Sequence, residues 1–164
     1  MRKSFIAAAA LLSLACAAPA VAQPLSVERK QVSSHAARKL VDACLDYAQK
    51  NNILVAVAVV DLAGVLMDFH GMEGVQATIS ETAILKAKTA AHWRRSTKTL
   101  EEDVTSGRNQ ASLWINDFPK LGALPIMIDG QFAGAIGIGG AAKQEECAQH
   151  AIDTVFGAAP VAAR

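Results

Sequence analysis

Residues 54–74, LVAVAVVDLAGVLMDFHGMEG, decide the fold of this chain. Residues 53–60 form a continuous run of alanine and branched aliphatic residues, which predicts a central strand covered on both faces. The sequence DLAG at residues 61–64 indicates a tight turn, and residues 65–70 then alternate as a return strand does. This alternation predicts that three apolar side chains of the return strand share one face: Val65, Met67 and Phe69.

Helices and a second hairpin surround this first hairpin. Apolar stripes at helical spacing predict helices over residues 34–51, 77–93 and 142–156, and Ser33 is a suitable N-cap for the first of them. The pair Asp129-Gly130 lies between two apolar runs and indicates the second hairpin.

Three further segments complete the predicted architecture. Residues 24–31 alternate weakly, which predicts a short edge strand, and Thr97 is predicted to cap a short helix that ends near Ser106. Residues 107–121 are polar and irregular and are the best candidate for a long functional loop. The whole pattern predicts an α+β fold with a largely antiparallel sheet of about five strands flanked by helices.

The N-terminal segment has the composition of a cleavable export signal over residues 1–22. Arg2 and Lys3 precede a ten-residue apolar run, and Ala20-Val21-Ala22 supplies the cleavage pattern. Ten helical residues rise only about 15 Å, half of a bilayer core, so we expect cleavage rather than a retained membrane anchor. The expected mature protein is a single domain over residues 23–164, periplasmic or secreted.

Charge and cysteine content narrow the possible partners. Without Arg2 and Lys3 the chain has 14 basic and 15 acidic residues, a balance that does not indicate a nucleic-acid partner. Cys44 and Cys147 remain after cleavage, and export permits a disulfide between them. The alternative is that each is a small buried hydrophobic residue on a helix stripe. Their spacing excludes a thiolate-rich structural zinc site.

Motifs of known enzymes are absent from the sequence. It contains no G-x-S-x-G, P-loop or H-E-x-x-H pattern, and no nucleophile–base pair indicates a catalysed reaction. Gly137 to Ala142 fits G-x-G-x-x-A, but too little chain follows for a dinucleotide-binding unit. The favoured interpretation is a glycine-rich strand end, at Gly139 and Gly140, that allows backbone or a ligand to approach closely.

Histidines and arginines are the candidate ligand-binding residues. His35, His70, His92 and His150 are each expected by default to have a surface or structural role. His92 stands out because it is followed by Trp93, Arg94 and Arg95, a combination suited to carboxylates such as haem propionates.

Several of these segments together resemble a known family. The blocks VVD-x-x-G, K-A-x-T-A and DG-x-x-x-GAIG occur in the order found in GlcG/HbpS haem-binding proteins, a domain also found at the C-terminus of some PduO-type proteins. The resemblance covers residues 32–156. It implies a profilin-like α+β fold, assembly into homo-oligomers that are often octamers, and binding of haem in some members.

The resemblance suggests His35 as a haem ligand, because a histidine near the start of the first helix recurs in the family. This sequence departs from the family where His70 enters the loop after the return strand and where Ser96 replaces a common proline. The predicted haem-contacting residues are therefore His35, His70, His92, Arg94, Arg95, Gly139 and Gly140.

Three functions are compatible with the sequence. The first is an exported haem- or tetrapyrrole-binding protein that acts as a scavenger, buffer or sensor partner. The second is a non-catalytic binding or accessory subunit for small organic acids in a catabolic pathway. The third is an oligomeric structural module without a ligand.

Overall fold

The computed structural model describes residues 25–140 and 142–158 of the 164-residue chain, so the predicted signal peptide lies outside the described residues. No helix among these residues has the length and apolar character needed to cross a membrane. The elements in chain order are α1 (Ser34–Lys50), β1 (Val55–Asp61), β2 (Leu66–Gly71), α2 (Ala77–Trp93), α3 (Thr97–Thr105), α4 (Ala111–Trp114), β3 (Ala123–Ile128), β4 (Gln131–Gly140) and α5 (Gln144–Phe156).

The four strands form one sheet in the order β2-β1-β4-β3, and every neighbouring pair is antiparallel. The predicted α+β fold is therefore confirmed. The predicted edge strand at residues 24–31 is wrong for its described part, because residues 25–31 form no strand. This segment instead leads into α1, and the N–H of Val32 donates to the carbonyl of Ala133 at 3.0 Å.

The central strand β1 is covered on both faces, as its continuous apolar run predicted. Its alternate residues belong to two separate cores. Val55, Val57 and Val59 pack under α1, in a core that residues of α5 complete. The other three residues pack under α2: Ala56, Ala58 and Val60.

The return strand β2 does not keep the predicted alternation. Val59 pairs with Asp68 and Val60 pairs with Leu66, so Met67 is an extra residue at a bulge. Met67 consequently packs in the α1 core while Phe69 packs in the α2 core, and the prediction of one shared face is wrong. Asp68 pairs with Val59 on the face covered by α1 and binds Arg38 of that helix, with nitrogen–oxygen distances of 3.0 Å.

Local signals at the helix and hairpin ends are mostly as predicted. The Ser33 hydroxyl accepts from the N–H of Ala36 at 3.2 Å and caps α1. Asp129 and Gly130 both have positive φ, at 49° and 74°, as their tight hairpin requires. The cap of α3 is Ser96 rather than the predicted Thr97, which is buried and hydrogen-bonded to Ala123.

The glycines of β4 allow α2 to lie directly on the sheet. A Cβ added to Gly137 would fall within 3.0 Å of backbone atoms of Ala83 and Ala87, and one added to Gly139 would fall as close to Ile79. The close approach predicted for this strand end is thus one of backbone to backbone. Contact of Gly139 and Gly140 with a cofactor stays a prediction.

A disulfide joins α1 to α5. Cys44 and Cys147 are both fully buried, their Cα atoms are 5.1 Å apart, and their sulfurs are bonded. The sequence left open whether these cysteines are bonded or only buried. In the folded chain they are both, because the two helices lie side by side on one face of the sheet.

Candidate functional site

The C-terminal end of α2 places an imidazole beside the β1–β2 turn. His92 lies in the last turn of α2 and its side chain is about half exposed. The neighbouring surface is Gly64, where an added Cβ would lie 3.5 Å from the Nε2 atom of His92. Because Gly64 lacks that atom, the main chain of the turn can lie close to the ring here.

A buried carboxylate holds the other side of the same imidazole. Asp117, whose side chain is 1% exposed, lies after α4 and accepts from Nδ1 of His92 at 2.8 Å. Its second oxygen accepts from the indole N–H of Trp93. The next residue, Phe118, donates its N–H to the Thr89 hydroxyl at 2.7 Å, so several hydrogen bonds hold this segment against α2.

A small cationic cavity lies at the same end of the molecule. It has a volume of about 180 Å³ and is lined by five residues: Arg29, Leu62, Arg94, Gln131 and Phe132. The Arg94 guanidinium stacks 5.4 Å from the centre of the Phe132 ring. Leu62 belongs to the same β1–β2 turn as Gly64, so this turn contacts both the cavity and the imidazole.

Arg95 points to a different partner from Arg94. It forms an ion pair with Asp103 at 3.0 Å, and Arg108 binds the other oxygen of that carboxylate at 2.8 Å. The hydrogen bond from Arg108 lowers the pKa of Asp103, and Arg95 lowers it further. The two adjacent arginines of the predicted cluster are thus divided between the cavity and this ion pair.

The other predicted haem-contacting residues lie away from this end of α2. His35 lies in the exposed first turn of α1, and His70 is an exposed residue of β2 paired with Val57. Gly139 contacts Ile79 near the start of α2, about 20 Å along the helix from His92. Within one chain, the fold therefore brings together His92 and Arg94 but not the whole predicted set.

Two buried polar residues near α2 were missed by sequence reasoning. Asp117 was included only as part of the irregular loop at residues 107–121. Lys86 is 4% exposed and lies three residues after Ala83, so its position on the buried stripe could have identified it. Nothing in the local sequence of Asp117 could have identified its partners, which are 24 and 25 residues away.

Lys86 is a buried amine bound by neutral acceptors. Its Nζ donates to the side-chain oxygen of Gln144 at 2.6 Å and to the carbonyl of Ile138 at 3.2 Å. The pKa of Lys86 is lowered from 10.5 to about 8, mainly because burial desolvates the amine and also because Lys120 lies nearby, while Glu101 opposes the shift. The described part of the chain places no carboxylate within ion-pair distance of this amine.

Metal coordination by clustered side chains is not supported in the part of the chain that the structure describes. No group of three or more His, Cys, Asp or Glu residues is positioned to hold an ion there. Haem would need fewer protein donors than such an ion, and the imidazole of His92, with the guanidinium group of Arg94 for a propionate, could supply them.

Comparison with known proteins identifies the family. Residues 32–155 match the family described as "Haem degrading protein HbpS-like", and the chain belongs to it. It is 36% identical over 108 residues to Protein GlcG of Escherichia coli K12, covering 65% of this chain and 80% of GlcG. It is 27% identical over 115 residues to an uncharacterised 15.0 kDa protein of Citrobacter freundii, covering 68% of this chain and 81% of that protein.

Solved structures show the same fold. A structure described as the PduOC:heme complex superposes with a TM-score of 0.71 at 26% identity and covers 76% of this chain and 95% of that one. The crystal structure of HbpS gives a TM-score of 0.72 at 25% identity and covers 84% of this chain and 99% of that one. The Klebsiella pneumoniae protein ORFY shares the fold with a TM-score of 0.77 at 23% identity and covers 85% of this chain and 100% of that one.

Proposed function

We propose that this protein binds haem or a related tetrapyrrole outside the cytoplasm and acts as a scavenger, buffer or sensor partner. The observation that carries the proposal is the likeness to the PduOC:heme complex over 95% of that chain, within a family described as haem-degrading. The buried Cys44–Cys147 disulfide supports the location, because such bonds persist in oxidising compartments.

The end of α2 offers the groups that haem requires. His92 supplies an imidazole, and Arg94 and Arg29 supply guanidinium groups suited to propionates. Exposed apolar side chains lie nearby in the sequence, at the end of α4 and directly after it. Three of them are more than half exposed and come a few positions before Asp117: Leu113, Trp114 and Ile115. Bound haem would supply redox and ligand-binding chemistry through its iron, while these residues hold and orient it.

A titration with hemin tests the proposal. The purified, oxidised protein is expected to shift the Soret band of hemin, and replacing an axial histidine is expected to weaken that shift. His35→Ala, His70→Ala and His92→Ala test the three predicted ligands. His150→Ala is the matched control, since His150 is exposed on α5 and lies outside the predicted set. A spectrum equal to that of free hemin would contradict haem binding.

A second candidate is the binding of a small organic acid. The cavity between Arg29 and Arg94 is smaller than the roughly 300 Å³ typical of drug-sized ligands, but it has two cations and no carboxylate among its lining residues. Thermal melting of the same protein with and without small hydroxy acids separates the two candidates. A true ligand at 100 times its Kd stabilises the folded state by about 2.7 kcal/mol.

Assembly into a homo-oligomer, expected to be an octamer from the family resemblance, also stays a prediction. The exposed apolar residues of and after α4 support it, because contiguous apolar surface favours contact with another protein surface. Light scattering measures the assembly directly.

A further inference from the structure

We infer that Asp117 is a positioning residue that prepares His92 to be the imidazole ligand of haem iron, by keeping the ring proton on Nδ1 and leaving Nε2 to bind the metal. This inference rests on the proposed haem binding and adds which histidine and which atom are used.

The hydrogen bonds of Asp117 determine the tautomer of His92. An ionised carboxylate only accepts hydrogen bonds, so a 2.8 Å contact between Asp117 and Nδ1 requires the proton on Nδ1. The other carboxylate oxygen is occupied by the indole N–H of Trp93. In the described residues Asp117 has no ion pair with lysine or arginine, so the hydrogen bonds of its carboxylate go to these two rings.

Such a carboxylate behind a histidine is a recurring feature of metal ligation. Histidines that bind metals almost always donate their second ring N–H to a carboxylate, carbonyl or water, which fixes ring orientation and raises ligand basicity. Asp117 is suited to this task because its side chain is 1% exposed and its segment is bonded to α2 through Thr89 and Phe118. A buried, anchored acceptor holds the ring more firmly than an exposed one does.

The other histidines lack this support. Within residues 25–140 and 142–158, no ring nitrogen of His35, His70 or His150 forms a hydrogen bond. Their rings are therefore free to take either tautomer, although the His150 ring lies 5.2 Å from the Tyr47 ring, centroid to centroid. Binding a metal through one of them would require that freedom to be lost, whereas the ring of His92 is already ordered.

The His92 ring can be reached from solvent, because its side chain is about half exposed and the turn beside it has no side chain at Gly64, where an added Cβ would lie 3.5 Å from Nε2. The Arg94 cavity shares the β1–β2 turn through Leu62. A planar ligand with carboxylate substituents would therefore meet a metal-binding nitrogen and a guanidinium group along one turn of the fold.

The test uses two variants of nearly unchanged shape. Asn replacing Asp117 retains an oxygen for Trp93 but turns an N–H toward His92, which moves the ring proton to Nε2. Trp93→Phe removes the other hydrogen bond of Asp117 and leaves the tautomer of His92 unchanged. Long-range ¹H–¹⁵N correlation spectra of the haem-free proteins report the tautomer, and hemin titrations report affinity.

We expect the Nδ1–H tautomer in the wild-type protein and in Trp93→Phe, and the Nε2–H tautomer in Asp117→Asn. Hemin affinity should fall about 10- to 100-fold in Asp117→Asn and at least as far in His92→Ala, but by less than about threefold in Trp93→Phe. Thermal melts of each variant verify folding. If Asp117→Asn does not fold, the wild-type tautomer still tests the hydrogen bond to Asp117, and His92→Ala, at a half-exposed position, tests the ligand.

Equal losses in Asp117→Asn and Trp93→Phe would show that Asp117 only anchors the loop and would overturn the inference. Unchanged hemin affinity in His92→Ala, with normal binding by the wild-type protein, would overturn the inference alone. Failure of the wild-type protein to bind hemin would overturn the proposed function as well.

Discussion

The two faces of the sheet are built by different physical means. Under α1 and α5 the core consists of larger aliphatic side chains such as Leu40, Ile136 and Ile138, and a buried disulfide joins the two helices. Under α2 the core is mostly alanine, and the helix backbone touches the glycines of β4. The polar residues that are buried as a whole lie on α2, bond to it, or lie in the segments that follow it: Lys86, Thr89, Thr97, Ser112 and Gln144. The buried side chain of Asp117 also bonds to α2.

The difference teaches where chemistry is placed in this fold. The α1–α5 face gains its stability from apolar burial and covalent linkage and contains no buried charge among the described residues. The α2 face holds a buried amine, and the end of α2 holds a buried carboxylate, each satisfied by hydrogen bonds. Close backbone packing orders α2 so that these polar groups keep their partners.

The largest effect is expected where the α2 face is tightest. In Gly137→Ala the new Cβ would lie within 3.0 Å of three backbone atoms of α2, none of which belongs to a flexible side chain. Insertion of atoms into a packed core costs typically 1–3 kcal/mol and occasionally more, and we expect about 4 kcal/mol here. Urea unfolding measures this loss of stability. Gly71→Ala is the matched control, because Gly71 is also a strand glycine without positive φ and its Cβ would meet only side-chain atoms of Ser80 and Phe69 within 4 Å, and it should cost about 1 kcal/mol or less. Equal losses in both variants would show that α2 does not need this close contact.

The next effect concerns the α1–α5 face. Replacing Cys44 and Cys147 together by alanine should lower the free energy of unfolding by about 2–4 kcal/mol, because the bond closes a loop of 103 residues. Urea unfolding of the oxidised, reduced and double-alanine proteins separates loss of the bond from loss of the sulfur atoms. If reduction leaves stability unchanged, the disulfide is not what joins this face.

The smallest expected effect is a pH dependence of the free energy of unfolding, and we expect it to come from the α2 face alone. The pKa of Lys86 is about 8 in the folded protein against 10.5 for the free amine, so the unfolded chain binds more protons between these values. The contribution of Lys86 to stability is therefore unfavourable at and below pH 8 and improves as pH rises toward 10.5.

Unfolding measured from pH 7 to 10.5 in the wild-type protein and in Lys86→Met tests this sign. The stability difference between them should move in favour of the wild-type protein by on the order of 1–2 kcal/mol across the range. Lys88→Met is the matched control, because Lys88 is exposed on the same helix, and should show no such trend. A flat difference for Lys86→Met would mean that this amine keeps its ordinary pKa.

Much of the fold followed from local patterns, and much of the site did not. The bounds of α2 and the hairpin at Asp129-Gly130 agree with prediction, because helical spacing and turn chemistry are encoded within a few residues. The face of Met67 was predicted wrongly, since a bulge depends on how β2 pairs with β1 rather than on the sequence of β2 alone. Residues 107–121 are irregular as predicted except for the short helix α4, which the sequence did not reveal, and the role of Asp117 inside them was not visible either.

The sequence by itself determined that β1 is a two-faced central strand, that the sheet is antiparallel with helices packed against it, and that the chain resembles the family to which it belongs. Only the tertiary structure decided that Cys44 meets Cys147, that Lys86 is enclosed, and that Asp117 holds His92. The physical reason is the number of residues that separate the interacting partners along the chain. Periodicity records which face of an element is buried, whereas these pairs join residues 25 to 103 positions apart, whose meeting depends on the path of the folded chain.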